Sequence, residues 1–159
     1  MINIFLMHMK EQGWDIKLNK EQGKYLPEAI TNRYTNIPKL WLEFIANVKY
    51  MVSPDETVWF LSAGDFDIQG DKAFQWNEWE LISLESADGD IEWESEIKKF
   101  WSNHLPIVMS VKGGYSYYAI SMQDGSIVQG CEPEFEECEF VAHSFAAFIE
   151  RIAKNELQL

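Results

Sequence analysis

The chain has 159 residues, with 26 Asp and Glu against 13 Lys and Arg, for a net charge of -13 and a sequence pI near 4.5. Hydrophobic residues make up 47% of it and aromatic residues 14%, enough to fill one core at the usual size of roughly 100 to 150 residues per domain and too much for an acidic disordered tail. The charge argues against a nucleic-acid binder and against a protein drawn to an anionic membrane, both of which rely on Lys and Arg, and a basic partner would be attracted.

No apolar run approaches the roughly 20 residues of a membrane span. The start, Met1-Ile2-Asn3-Ile4-Phe5-Leu6-Met7, is too short for a signal peptide and lacks its basic leader, so a cytoplasmic protein is expected. Cys131 and Cys138, with His143 nearby, form neither a CxxC pair nor a disulfide framework; two reduced, incidental thiols are expected, with no metal and no cofactor.

In chain order, residues 3 to 13 carry Ile4, Phe5, Met7 and Met9 and predict a short helix stopped at Gly13. Leu26-Pro27-Glu28 places a proline and an acid where a first turn tolerates them, predicting a helix over 27 to 35. Pro38 repeats the device, and Leu40, Trp41, Phe44, Ile45 and Val48 predict a buried helical stripe over 38 to 50. Ser53-Pro54-Asp55 is a turn, and Thr57-Val58-Trp59-Phe60-Leu61 a buried strand. Ala73 to Ala87 fits a helix in part, with Trp79 to Leu84 equally able to be extended; Asp90 then caps a helix to 103, with Glu94 four residues before Lys98.

From Leu105 the period becomes extended. Strands are predicted at 106 to 111, 115 to 122, 126 to 131 and 139 to 142, joined by Lys112-Gly113-Gly114, by a two-residue Asp124-Gly125 hairpin turn and by a loop around Pro133; Ser144 caps a last helix. The expected fold is α+β, a single domain over 1 to 159: a mainly antiparallel sheet of about five strands, helices before it and a covering helix at the C-terminus.

Charge is unevenly spread. Residues 1 to 54 hold 7 basic and 5 acidic side chains, 55 to 100 hold 3 and 13, and 101 to 159 hold 3 and 8. Glu132, Glu134, Glu136, Glu137 and Glu139 lie in eight residues without a basic one. They are either a solvated face or a docking surface for a cationic protein, where complementary fields raise association rates about ten to a thousandfold at low salt. Trp41, Trp59, Trp93 and Trp101 sit at periodic apolar positions and are expected in the core. Trp76 and Trp79, flanked by Asn77, Glu78 and Glu80, either pack inside or show a ring to solvent as a protein-binding hot spot.

Little points to catalysis. Carboxylates are so numerous that close pairs arise by chance; His8, His104 and His143 are scattered outside any nucleophile elbow; Gly113-Gly114 lacks the rest of a dinucleotide fingerprint, and no phosphate-binding loop occurs. No catalytic residue is assigned.

The ordered pieces Leu26-Pro27, Ile37-Pro38-Lys39-Leu40-Trp41-Leu42-Glu43-Phe44-Ile45, Thr57-Val58-Trp59-Phe60-Leu61-Ser62, Leu105-Pro106-Ile107-Val108, Gly113-Gly114-Tyr115-Ser116-Tyr117-Tyr118-Ala119-Ile120, Asp124-Gly125 and Val141-Ala142-His143-Ser144-Phe145-Ala146-Ala147-Phe148-Ile149 resemble the SMI1/KNR4 family of the SUKH superfamily over roughly residues 26 to 153. The resemblance implies an α+β domain without enzymatic activity. It is used in bacteria largely as an immunity protein that neutralises a cognate secreted toxin, often a nuclease or deaminase, and in fungi as a regulatory adaptor in cell-wall synthesis. The expected partner is a cognate toxin or another basic protein, met at Glu132, Glu134, Glu136, Glu137, Glu139, Trp76 and Trp79. The adaptor is the first alternative, and a carboxylate-based hydrolase the second.

Overall fold

The computed structural model describes residues 1–20, 26–67 and 74–159. In chain order their elements are α1 (Ile2–Glu11), β1 (Asp15–Leu18), α2 (Glu28–Arg33), α3 (Lys39–Asn47), β2 (Val48–Val52), β3 (Val58–Phe60), α4 (Glu78–Ala87), α5 (Ile91–Asn103), β4 (His104–Ser110), β5 (Ser116–Ser121), β6 (Ile127–Cys131), β7 (Glu139–Ala142) and α6 (Phe145–Ala153). The strands form one sheet in which spatial order equals chain order, every neighbouring pair antiparallel.

Helices with one antiparallel sheet match the α+β expectation, but the sheet has seven strands rather than about five. The two unforeseen strands are β1 and β2. Val48 continues the three-and-four spacing of α3, yet the helix ends at Asn47, whose Nδ2 donates to the Glu43 carbonyl at 2.7 Å. Asn19 Nδ2 donates to Ala46 O at 2.8 Å, and Asn19 N to Asn47 O at 2.9 Å. These bonds satisfy carbonyls that a helix end leaves orphaned and release Val48–Val52 to pair with β1, Asp15 opposite Val52 and Lys17 opposite Tyr50.

Successive strand residues point to opposite faces, and both faces of this sheet are covered. Phe60 meets Phe5 of α1 at 5.7 Å, Phe44 of α3 at 5.6 Å and Phe148 of α6 at 6.5 Å between ring centroids. Its neighbour Trp59 meets Phe74 at 5.8 Å. In β5, Tyr118 meets Phe148 at 5.1 Å while Tyr117 meets Trp101 of α5 at 4.8 Å. Helices α1, α3 and α6 therefore cover one face, and α5 with the chain leading to α4 covers the other.

Several local expectations hold. Gly13 follows α1 with φ 86°; Asp90 caps α5 by accepting from Trp93 N at 3.0 Å; Glu94 pairs with Lys98 at 3.4 Å; Ser144 caps α6 by accepting from Ala147 N at 3.2 Å. Others do not. Trp79 to Leu84 is helical, inside α4, and Ala73 lies outside the described residues. Trp93, expected in the core, is 45% exposed because it sits in the first turn of α5, beyond the buried Ile97 and Trp101. The hairpin after β5 is longer than two residues: the Ser121–Ser126 backbone bond of 2.8 Å encloses residues 122 to 125. Asp124 Oδ1 draws this turn together by accepting from Ser126 N and Oγ, with Gly125 left-handed at φ 74°.

Candidate functional site: an anchored acidic loop

The loop between β6 and β7 carries the glutamate cluster, and mutual repulsion would splay it were it not tied to the core. Phe135 is the first tie. It is buried, its ring stacked on Trp79 at 5.5 Å and 6°, and Trp79 stacks in turn on Tyr115 at 4.6 Å. The Tyr117 hydroxyl donates to the Phe135 carbonyl. Burial, reinforced by Cys138, Glu136 and Cys131, lifts the Tyr117 phenol far above its ordinary range, so it keeps that proton throughout the physiological range.

Two of the glutamates are ties as well. Glu136 Oε1 accepts from the indole Nε1 of the buried Trp101 at 2.8 Å, and Glu132 Oε1 accepts from Tyr115 N at 3.0 Å. Glu134, Glu137 and Glu139 are exposed, with Glu139 lying 3.4 Å from Gln129 Nε2. The sequence shows five equivalent acids; the fold bonds Glu136, half-buried, and Glu132, still exposed, to other elements and leaves the others as a surface. Cys131 is exposed and Cys138 half-buried, both as free thiols, and burial raises the Cys138 pKa.

Trp76 and Trp79 do not present a ring to solvent, and the packing alternative describes both. Trp79 is 1% exposed and its Nε1 donates to Ser116 O at 3.1 Å. Trp76 is 5% exposed, against Phe66 at 5.4 Å and Tyr34 at 6.2 Å, with the Arg33 guanidinium 5.6 Å from its ring centre. Their acidic neighbours mislead, because Glu80 is itself buried against Arg33 at 2.8 Å, and Glu78 folds back to accept from Gln75 N at 2.9 Å.

Beside the loop, the structure exposes an aromatic residue the sequence did not single out. Phe140 of β7 is 58% exposed, its ring 4.8 Å from that of His143. A cleft of about 300 Å³, lined by Tyr118, Gln129, Gly130, Cys131, Glu137 and Glu139 among others, opens nearby. Among the described residues no group of three or more His, Cys, Asp or Glu is placed to hold a metal ion. His104 stacks on Phe100 at 4.0 Å and places Nδ1 on the Phe100 carbonyl at 2.8 Å, and burial lowers its pKa. None of His8, His104 and His143 is bonded to a serine or cysteine side chain among the described residues.

No protein-family model matches this chain, and neither does any curated protein or solved structure. Among the described residues no helix is long and apolar enough to cross a membrane.

Proposed function

We propose that the chain is a non-catalytic protein-binding domain, acting as a bacterial immunity protein that binds and neutralises a cognate cationic toxin. The observation that carries this reading is the construction of the 132 to 139 loop: Phe135, Glu132 and Glu136 hold it to the core, while Glu134, Glu137 and Glu139 face outward on a backbone so fixed. Charges held in place in advance lose little side-chain freedom on binding and steer a cationic surface toward them. A toxin that acts on nucleic acid must present cations to phosphate, and carboxylates in that position would compete. The ordered resemblance to SMI1/KNR4 proteins supports the same role.

The test begins with proteins crosslinked to the native chain at low salt. A cationic protein among them is purified, and its own activity is measured with and without an equimolar amount of this chain. Inhibition that weakens with salt, with association slowed about tenfold or more by Glu134→Lys with Glu137→Lys, is expected. Turnover of a small molecule by the purified chain would overturn the reading. Binding without inhibition, to a protein of signalling or wall synthesis, would favour the regulatory adaptor instead.

A further inference from the structure

We infer that the outer edge of β7 around Phe140 receives an extended cationic segment of the partner as an added strand, a mode that rests on the protein-binding reading above. Among the described residues, strand β7 ends the sheet and pairs with β6 alone. An edge strand presents unpaired N–H and C=O groups to any extended chain. One end of this edge is already occupied, since the Arg151 guanidinium donates to the Val141 carbonyl. The remaining stretch is Glu139–Phe140, and there the exposed large apolar ring stands next to an exposed carboxylate.

Glu139 and Phe140 point to opposite faces of the sheet, as consecutive strand residues must. An incoming strand would therefore meet a carboxylate on one face and an aromatic ring on the other. The segment that fits alternates Lys or Arg with an apolar residue. Glu137 adds a second exposed charge beside the cleft that Gln129, Gly130 and Cys131 help to line, giving a side chain of that strand a place to enter. The opposite edge lacks this chemistry: on β1, Lys17 pairs with Asp15 at 3.7 Å and lies 4.8 Å over the Tyr50 ring, so a cationic strand would meet a cation there. In strand addition, main-chain bonds supply affinity and alternate side chains supply selectivity, and both parts are present at β7.

The probe is a short synthetic peptide alternating Lys and Val, titrated into the isotope-labelled chain at low salt. Its controls are the same peptide N-methylated at alternate residues, which cannot complete the ladder, and one with Ser in place of Val. Expected are slowed amide exchange at Glu139 or Phe140, loss of binding on N-methylation, and weakening of about tenfold or more for Phe140→Ser; that exposed ring can be removed without unfolding the chain. Binding indifferent to N-methylation, or protection confined to residues away from β7, would overturn strand addition while leaving the acidic docking surface intact. No binding of the peptide at low salt would also overturn it, whereas the immunity reading falls only with the toxin assay.

Discussion

A Cβ placed on Gly130 would lie 2.5 Å from the Tyr117 hydroxyl oxygen and 2.7 Å from two of its ring carbons. The two residues face each other across the β5–β6 ladder, so the ring packs onto bare backbone and carries its hydroxyl to the Phe135 carbonyl. Gly130→Ala is therefore expected to destabilise the fold by about 1 to 3 kcal/mol, the usual cost of overpacking. Urea denaturation measures it. In a Tyr117→Leu background the same substitution should cost well under half as much, because contacting residues couple; equal costs in both backgrounds would dissociate Gly130 from the ring.

The glutamates of the loop should separate into two classes. Glu136→Ala leaves the indole N–H of the buried Trp101 without its acceptor, which is expected to cost about 1 to 3 kcal/mol. Glu134→Lys and Glu137→Lys, at exposed sites, should change stability by no more than about 0.5 kcal/mol. Denaturation midpoints for the three variants decide it, and equal effects would return all the acids to a single solvated face.

Phe145 is 1% exposed and meets Phe44 at 5.5 Å, joining α6 to α3. Truncation there removes the ring and leaves a cavity, so Phe145→Ala should cost about 3 to 5 kcal/mol. A small shift in the thermal midpoint would mean that α6 does not close the core.

His104 gives the stability a pH dependence of definite sign. Burial holds its imidazole below the ordinary 6.5, partly offset by the Phe100 carbonyl. The unfolded chain thus takes up the proton first, and stability contributed by the neutral ring is full above 6.5 and declines as pH falls through the depressed folded value. The urea midpoint of the native chain should fall between about pH 6.5 and 5.5, before carboxylates titrate. His104→Gln should flatten that decline, and an unchanged slope would assign it elsewhere.

Much of the fold is legible in local sequence because the signals are themselves local. Pro27, Pro38, Asp90 and Ser144 mark helix starts, Gly13 a stop, and the alternation from Leu105 onward a meander. The edge formed by β1 and β2 is not legible, since Asp15–Leu18 is short and mostly exposed and the spacing at Val48 suits a helix as well as a strand. Asn19, far from α3 in sequence, settles it by bonding Ala46 and Asn47. The candidate site divides in the same way: the run of glutamates is visible, but which of them are tied down depends on Trp101 and Tyr115, contributed by other elements.

By itself the sequence determined the acidity of the surface, the aromatic load of the core and most element types, because charge, apolar content and periodicity are additive properties of neighbouring residues. Only the tertiary structure decided that Trp76 and Trp79 are interior while Trp93 and Phe140 reach solvent. A side chain's exposure depends on what packs across from it, and that neighbour is supplied by distant parts of the chain: Phe135 and Tyr115 close over Trp79, whereas beyond Phe140 the sheet of the described residues ends.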